Sequence, residues 1–402
     1  MKKICLLLAV CFLFAACSAV AENSAEIASL IKQAQAALEV QDYDTAVLIL
    51  LKAAEAGNDQ AQLWLGNCYS AGEGVEQSLE EAVKYYQLAA DQGNIAAAYN
   101  LALCYLGGSG VEPDVEKGVA ILKSCADQGD AESQYALGYL YYYGMGLRQD
   151  YEEAVKYLVM AADQETGPAY YLLGMCSENG WGVEQSIQEA FDYYLKGAEK
   201  GNAYSEYKLG VMYQMGIGVE QDYDKAFRYY SLAAEQEHPE ALTALGFFYG
   251  QGLGTEQDLE AMLRYYNLAA EYEEPMAQFN LGCCYRDGTG VEQDYNEMLK
   301  YFRLAVDQGN ANAEFNLGFA YYTGQQGVEQ DYNEAFRLFR LAADQGFPVA
   351  LFAVGDCYYL GTSVEKDLDA AREWYRKSLD AGYEPDEEDQ KHIADVIGQG
   401  QE

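Results

Sequence analysis

The chain has 402 residues, of which 50% are hydrophobic and 13% aromatic, and its formal net charge is −39. This much apolar material can form a continuous core, which argues against intrinsic disorder. The negative charge repels phosphate backbones and so argues against nucleic acid as a partner. It is compatible with a basic partner, with divalent cations or simply with solubility.

Residues 1–21 predict an export signal. Lys2 and Lys3 precede an apolar run over 4–16, which is shorter than the roughly 20 residues that span a bilayer. Extending the run to Ala21 leaves an uncleaved anchor as an alternative. We expect an exported protein, either an outer membrane lipoprotein or a periplasmic or secreted protein.

Two cleavage sites remain open within this segment. Phe14-Ala15-Ala16-Cys17 resembles a bacterial lipobox, although Phe14 departs from the usual aliphatic residue. Cleavage after residue 16 would make Cys17 the lipidated N-terminus and the sole contact with a membrane. The small residues over 19–21 suit ordinary signal peptidase instead, with cleavage after residue 21.

Residues 24–57 predict a pair of helices that caps the N-terminus. A first helix runs to about Glu39, and Gln41-Asp42-Tyr43-Asp44 opens a second. No glycine turn separates them, unlike in the segment that follows. At the other end, the acidic residues 383–402 predict either a tail or one polar capping helix, because a repeat array needs polar ends for solubility.

Residues 58–382 contain nine repeats with a period of 36 residues, and the last interval is 37. The extra residue falls in the turn over 324–327, where an insertion is best tolerated. Each repeat is marked by a glycine or its substitute that follows an aliphatic residue, here called the reference glycine. The nine positions are Gly66, Ala102, Gly138, Gly174, Gly210, Gly246, Gly282, Gly318 and Gly355.

Each repeat predicts two helices joined by a glycine turn. In the first helix, small, aliphatic and tyrosine side chains recur at a spacing of four, which marks one helical face. The turn has the form Gly-x-Gly-Val-Glu-Gln-Asp, as over 216–222. The second helix predicts an N-cap at Ser78, Asp114, Asp150, Ser186, Asp222, Asp258, Asp294, Asp331 and Asp367.

Glutamate stands three residues after the predicted cap in five repeats, for example Glu81 after Ser78, and predicts a capping box. The second helix predicts a left-handed glycine at its end, such as Gly93, Gly129, Gly201 or Gly309. Where glutamate replaces that glycine, a proline follows within three residues and predicts the next helix start.

These motifs resemble the Sel-one-like repeat (SLR) family. The resemblance covers about residues 56–382 and includes AQFNLG over 277–282, the Gly-x-Gly-Val turns and Lys-Tyr-Tyr-x-x-Ala-Ala second helices. It implies an all-α, right-handed α-solenoid similar to tetratricopeptide arrays, used as an adaptor in protein complexes. Bacterial members are commonly exported or associated with the cell envelope.

The sequence argues against an enzyme. Its only histidines, His238 and His392, cannot form a catalytic triad or a paired-His metal site, and we expect both at the surface. Ser-x-x-Lys begins at Ser29, Ser205 and Ser363, but without the Ser-Asp-Asn and Lys-Thr-Gly companions of β-lactamases. We therefore expect no catalytic residue, no cofactor and no metal.

The cysteines predict buried free thiols. Equivalent positions on stacked helices are about 8–10 Å apart, beyond the roughly 7 Å limit between Cα atoms in a disulfide. Five of the seven cysteines after the export segment share one such position, two residues after the reference glycine. They are Cys68, Cys104, Cys176, Cys284 and Cys357.

A variable stripe on the first helices is the predicted binding surface. It occupies the positions six and two before, and one and five after, the reference glycine, and first helices line the concave surface in arrays of this type. Aromatic and Asn side chains suit polypeptide recognition, while packing on neighbouring helices is the alternative for single members. The stripe contains Trp64, Asn67, Asn100, Tyr139, Tyr143, Asn179, Lys208, Phe247, Asn280, Asp287, Asn316 and Phe319.

A second candidate surface is an acidic edge at the turns, which a basic protein partner could contact. Its members are Glu76, Glu112, Glu184, Glu220, Glu256, Glu292, Glu329 and Glu365. We predict a non-enzymatic adaptor of the cell envelope that binds proteins or peptides through its first helices. The alternatives are an SLR-type β-lactamase-like or penicillin-binding enzyme and a structural envelope component that binds polysaccharide.

Overall fold

The computed structural model describes residues 24–325 and 327–397. In these ranges the chain forms 21 α-helices and no strands. Helix α1 spans 24–39. It is followed by α2 (Tyr43–Glu55), α3 (Asp59–Ala71), α4 (Leu79–Ala90), α5 (Ile95–Gly107), α6 (Val115–Asp127), α7 (Ala131–Tyr143), α8 (Tyr151–Ala162), α9 (Gly167–Asn179) and α10 (Ile187–Glu199). The remaining helices are α11 (Ala203–Met215), α12 (Tyr223–Glu235), α13 (Pro239–Gln251), α14 (Leu259–Glu271), α15 (Pro275–Asp287), α16 (Tyr295–Asp307), α17 (Ala311–Thr323), α18 (Tyr332–Asp344), α19 (Pro348–Leu360), α20 (Leu368–Asp380) and α21 (Glu387–Ile397).

The chain divides into two compact units, Met1–Lys200 and Gly201–Glu402, called here the N-terminal and C-terminal units. In the N-terminal unit, α1 to α10 pack as successive hairpins, each helix against its neighbours in sequence. In the C-terminal unit, α11 to α20 pack in the same way and α21 adds to α20. The odd-numbered helices from α3 are first helices and the even-numbered ones from α4 are second helices. The predicted all-α solenoid of helix-turn-helix repeats is confirmed within each unit.

Each second helix from α4 to α20 begins at its predicted N-cap. The Ser or Asp side chain accepts a hydrogen bond from a backbone N–H two or three residues on. The predicted capping box is wrong, because the cap's own N–H has another acceptor. That of Ser78 donates to the carbonyl of Tyr69 in the preceding helix at 3.0 Å. Glu81 is left to pair with Lys84 at 2.9 Å.

The reference glycine recurs because a large side chain of the second helix lies against it. A Cβ atom at Gly282 would lie 2.4 Å from Cδ1 of the Phe302 ring. Nonbonded carbon atoms are in optimal contact at about 3.5–4.0 Å, so no larger residue fits without displacing the ring. At Gly138 the side chain is that of Leu158, 2.6 Å from the added Cβ. Ala102 departs from the rule, although it too faces a leucine, Leu122, in one cluster.

The second helices end in a left-handed residue. The predicted glycines adopt it readily, with φ of 89° at Gly93 and 74° at Gly309. Glu165, Glu237 and Glu273 occupy the same position, with φ of 63°, 61° and 59°. A residue with a Cβ atom loses about 1–2 kcal/mol in this conformation, so these three sites are locally strained.

Hydrogen bonds from a glutamine to a buried Gln or Glu link the two ends of five hairpins, and the sequence pattern does not predict them. A Gln just beyond the second helix donates to a buried Gln or Glu four residues before the reference glycine, at 2.7 to 2.9 Å. Burial raises the pKa of the two acids, Glu206 and Glu314. The pairs are Gln92–Gln62, Gln164–Gln134, Gln236–Glu206, Gln308–Gln278 and Gln345–Glu314.

Helix α21 packs onto the last repeat. Val396 is fully buried, and its carbonyl accepts a hydrogen bond from Nε of Arg372 at 2.9 Å. Just before α21, the Tyr383 ring stacks on Phe352 with centroids 4.9 Å apart. The helix lies within the segment for which the sequence predicts a tail or a capping helix.

Over residues 24–325 and 327–397, none of the helices combines the length and apolarity needed to cross a membrane. The predicted export segment 1–21, with Cys17 as its lipidation site, lies outside the described residues. So do residues 398–402 of the predicted tail.

Candidate functional site

The twelve stripe residues all lie on first helices, and none is buried. They occupy α3, α5, α7, α9, α11, α13, α15 and α17. Seven are exposed, namely Asn67, Tyr139, Tyr143, Asn179, Phe247, Asp287 and Phe319. Five are half-buried, namely Trp64, Asn100, Lys208, Asn280 and Asn316.

Several polar members of the stripe bond to the protein itself. Oδ1 of Asn67 accepts hydrogen bonds from the Tyr86 hydroxyl at 2.9 Å and from Nδ2 of Asn100 at 3.2 Å. In the C-terminal unit, Arg286 pairs with Asp287 at 2.8 Å and donates to Oδ1 of Asn316 at 2.8 Å. These side chains support the helices they join, so the aromatic members are the stronger candidates for contact with a partner.

The two exposed tyrosines of the stripe, Tyr139 and Tyr143, are in the N-terminal unit. Tyr135, Tyr139 and Tyr143 stand four residues apart on α7, with ring centroids 6.2 Å and then 4.5 Å apart. Tyr99 of α5 lies beside Tyr135, and we call these four residues the tyrosine surface. Tyr139 and Tyr143 are 36% and 48% exposed. Burial, followed by the influence of Tyr139 and Tyr143, raises the pKa of Tyr135 to about 12.

The C-terminal unit carries a recessed site instead. A cavity of about 220 Å³, called here the C-terminal pocket, lies between α17, α19 and the segment that leads into α21. Six of its lining residues combine aromatic rings with carboxylates. They are Phe315, Phe319, Phe352, Tyr383, Asp356 and Asp389.

Asp356 is held in place by two later helices. Its Oδ1 accepts a hydrogen bond from the Tyr375 hydroxyl of α20 at 2.6 Å and lies 3.2 Å from Nδ1 of His392 on α21. Burial raises the pKa of Asp356, against the opposing effect of Tyr375 and His392. Asp389 accepts a hydrogen bond from the Tyr383 hydroxyl. The two acids are therefore oriented parts of the pocket wall.

Of the residues in this pocket, the sequence pattern predicts only Phe319 as a binding residue. A signal was present three residues before the reference glycine, where seven of the nine repeats carry an aromatic residue. They are Tyr99, Tyr135, Tyr171, Tyr207, Phe279, Phe315 and Phe352. Asp356 occupies a stripe position, one residue after Gly355, and a full list of that position would have included it.

His238 is buried, so its predicted surface position is wrong. Its ring stacks on Tyr207 with centroids 5.0 Å apart and meets the edge of Tyr204 at 4.8 Å. It occupies the N-cap of α13 without a side-chain cap bond.

The His238 ring has no well-aligned hydrogen bond at either nitrogen within the described part of the chain. Its Nδ1 nevertheless lies 3.2 Å from Oε2 of Glu240. Burial lowers the pKa of His238, although Glu240 opposes the effect. Tyr204 and Tyr207 bury His238 between their rings, which the repeat pattern does not predict. The second histidine, His392, is half-buried.

The seven cysteines of the described chain are free thiols. The predicted burial is confirmed for Cys68, Cys176, Cys284 and Cys357, whereas Cys104 is half-buried. Burial raises the pKa of Cys176 to about 12. A thiol with a raised pKa is a weak nucleophile at neutral pH, so these side chains act as small apolar residues.

All eight glutamates of the predicted acidic edge are exposed. Exposed charges of this kind are screened by salt over about 10 Å at 0.1 M. Among the residues that the structure describes, no group of three or more His, Cys, Asp or Glu side chains is placed to hold a metal ion.

The fold and these surfaces define a helical repeat protein of the type typical of protein-interaction scaffolds. Ten segments match the model of the Sel1 repeat, and the chain belongs to the Sel1 repeat family. The segments are 38–58, 59–94, 95–130, 131–165, 167–202, 203–238, 239–271, 275–310, 311–347 and 348–383. The first of them includes the second helix of the predicted N-terminal capping pair. Sel1 repeat proteins are generally non-catalytic scaffolds.

Two solved structures of the same repeat are similar to this chain. One is a protective antigen present in uropathogenic Escherichia coli strains that displays an SLR fold, with 28% identity and a TM-score of 0.60. The match covers 88% of this chain and 83% of that one. The other, a Sel1 repeat protein from Oxalobacter formigenes, has 29% identity and a TM-score of 0.56 over 61% of this chain and 96% of its own. No curated protein matches the sequence.

Proposed function

We propose that this protein is a non-enzymatic adaptor of the cell envelope that binds polypeptide partners through its first helices. The observation that carries the proposal is the tyrosine surface. Tyr139 and Tyr143 keep 36% and 48% of their area exposed. Large rings left in solvent at variable positions of a repeat are typical of a contact surface.

The chemistry of the tyrosine surface suits a polypeptide. Tyrosine supplies a large contact area at low cost in side-chain entropy, and it is enriched among the residues that dominate binding energy. Its hydroxyl can pair with a backbone amide while the ring covers apolar side chains. The Tyr139 ring packs between those of Tyr135 and Tyr143, so it is positioned before a partner arrives and loses less entropy on binding.

The proposed localisation in the cell envelope depends on the N-terminal segment. Lys2 and Lys3 followed by an apolar run have the form of an export signal, and Cys17 is the candidate lipidation site. Cells that express the full chain should incorporate labelled fatty acid into it, and Cys17→Ala should abolish the label. A secreted or periplasmic form that begins at Glu22 would contradict lipidation at Cys17 but would still agree with export.

The binding proposal is tested with a phage-displayed library of random peptides selected on the full chain. The affinity of the enriched peptides is then measured by fluorescence polarisation for the wild type and for Tyr139→Ala/Tyr143→Ala. We expect the double variant to lose roughly tenfold or more in affinity, as for residues at the centre of an interface.

Tyr295→Ala/Tyr332→Ala is the matched control, because these two tyrosines are 38% exposed at the starts of second helices. Both double variants should keep the helical circular dichroism of the wild type. Enriched peptides that bind all three proteins equally would contradict the proposal, and so would a library that yields no binder.

A further inference from the structure

We propose that the C-terminal pocket binds the side chain of an arginine presented by a polypeptide partner. The pocket is formed within the C-terminal unit alone, and the inference goes beyond the proposed function because it concerns a different surface. It stands whether or not the tyrosine surface binds a partner.

The walls of the pocket fit a flat group. Phe352 and Tyr383 stack at 4.9 Å with their planes 29° apart, and Phe315 and Phe319 lie 6.3 Å apart. The cavity of about 220 Å³ is equivalent to the share of about seven liquid waters, which is enough for one long side chain. Phe319 is 48% exposed and stands at the entrance. A planar ligand can therefore enter from solvent and lie against the Phe319 ring, whereas both faces of Phe352 are already covered by Tyr375 and Tyr383.

Two carboxylates give the pocket its charge preference. Asp356 is fixed by Tyr375 and His392, which both reach Oδ1, so a ligand can pair with Oδ2. Asp389 is fixed by Tyr383. None of the described lining residues is Lys or Arg, and the chain as a whole carries a formal net charge of −39. The pocket thus attracts a cation and repels an anion.

Arginine fits this combination better than lysine. The guanidinium is planar, stacks on aromatic rings and donates two parallel hydrogen bonds to a carboxylate. It is also more weakly hydrated than an ammonium group, so it enters an apolar cavity at lower cost. Attraction between the cation and the ring faces adds to the charge pairing. An arginine flanked by apolar residues would leave those neighbours to cover Phe319 and the pocket rim.

Isothermal titration calorimetry with the full chain tests the assignment. The probes are acetyl-Leu-Arg-Leu-amide and two counterparts with citrulline or lysine at the centre. Citrulline has nearly the shape of arginine without its charge. We expect the arginine peptide to bind about tenfold or more tightly than the citrulline peptide, which is the range for hydrogen bonds to charged groups. The lysine peptide should lie between them.

Three variants locate the binding. Asp389→Asn and Phe319→Leu should each lower the affinity for the arginine peptide. Asp356→Asn should remove most of the preference for the arginine peptide over the citrulline peptide. Phe319→Leu changes an exposed ring, so its effect is readable even if Asp356→Asn disturbs the contacts with Tyr375 and His392. Tyr295→Ala is the control, because this exposed tyrosine at the start of α16 lies outside the pocket lining, and it should leave this binding unchanged.

Equal affinity for the arginine and citrulline peptides would overturn the proposal. Binding that survives both Asp389→Asn and Phe319→Leu would also overturn it, since the site would lie elsewhere. So would the absence of measurable binding at millimolar peptide. If the peptide library yields no binder for the tyrosine surface, the calorimetry with the arginine peptide can still succeed. The two proposals can therefore be refuted independently.

Discussion

The tyrosine surface and the C-terminal pocket are built from the same positions of the repeat, yet one projects and the other is recessed. Both have an aromatic residue three before the reference glycine, Tyr135 in α7 and Phe352 in α19. The next contributor, one residue after that glycine, is Tyr139 in the first case and Asp356 in the second. Phe319 occupies this position in α17 and also lines the pocket, so the recess depends on Asp356 together with Tyr383 and Asp389, which close it from the C-terminal side. The repeat therefore fixes where a surface lies, and the residues packed beside it decide its shape.

The two sites also differ in what orders them. Tyr139 contacts Tyr135 and Tyr143 of its own helix. Asp356 is held by residues 19 and 36 positions later in the chain. The contacts of Tyr139 with Tyr135 and Tyr143 lie within its own helix, whereas the pocket depends on α20 and α21 being in place.

The largest expected effect is on the free energy of unfolding. It distinguishes the buried stacking positions from the tyrosine surface and the C-terminal pocket. Phe302→Ala should lower the free energy of unfolding of the C-terminal unit by about 3–5 kcal/mol, because the ring is fully buried against Gly282. Phe319→Ala and Tyr139→Ala should each change it by less than about 1 kcal/mol. Urea denaturation followed by circular dichroism measures these changes, and hydrogen exchange assigns them to a unit.

A large loss of stability in Tyr139→Ala would contradict the comparison. Its ring would then be packing for the N-terminal unit and not a surface for a partner. Leu158→Ala is the matched buried change in that unit, because Leu158 is fully buried, and it should lower stability by about 2–5 kcal/mol.

The second prediction compares the predicted stripe in the two units. Tyr139→Ala/Tyr143→Ala should reduce the affinity of selected peptides by roughly tenfold or more, and Lys208→Ala/Phe247→Ala by less than about threefold. The reason is that the first pair belongs to a group of neighbouring tyrosines at the surface, while Phe247 packs on Phe248, which is fully buried. Fluorescence polarisation with the same peptides measures both. An equal loss in the two variants would contradict the assignment of peptide binding to the tyrosine surface.

The third prediction is a pH dependence of the stability of the C-terminal unit, which contains both histidines. Burial lowers the pKa of His238, so the unfolded chain takes up this proton at a higher pH than the folded chain. The stabilisation is complete above the unfolded pKa of about 6.5 and is lost as the pH falls below it. Thermal denaturation between pH 8 and pH 5 should show this loss in the wild type.

His238→Asn is the control, because Asn202 caps the neighbouring first helix at the same position. The comparison between variant and wild type also cancels the carboxyls that work in the opposite direction. Burial raises the pKa of Glu206, Glu314 and Asp356, and such groups gain stability as the pH falls through their folded pKa. A wild type and a variant with parallel pH profiles would show that His238 does not titrate with folding.

The smallest expected effect concerns the left-handed glutamates. Glu273→Gly should raise stability by about 0.5–1 kcal/mol, since glycine adopts a positive φ without strain. Glu165→Gly should gain less, because Glu165 also pairs with Lys200 at 2.8 Å. Urea denaturation measures both. A loss of stability in Glu273→Gly would mean that its side chain makes a contact worth more than the backbone strain.

The sequence predicted the features that depend on neighbouring residues. The repeat period, the N-caps from Ser78 to Asp367 and the left-handed glycines follow from spacings within one or two helical turns. Position in the repeat also placed four of the five equivalent cysteines in the core. The binding stripe was assigned by the same periodicity, and its members stay a prediction.

Features that join distant parts of a hairpin or successive hairpins were decided by tertiary structure alone. The N–H of Ser78 is used by a carbonyl nine residues earlier, which removes the capping box. His238 is buried by Tyr204 and Tyr207, and Asp356 meets Tyr375 and His392 across 19 and 36 residues. Local spacing determines which face of a helix a side chain is on. Burial and the choice of hydrogen-bond partner depend on which other helix packs against that face, and this is settled only when the hairpins stack.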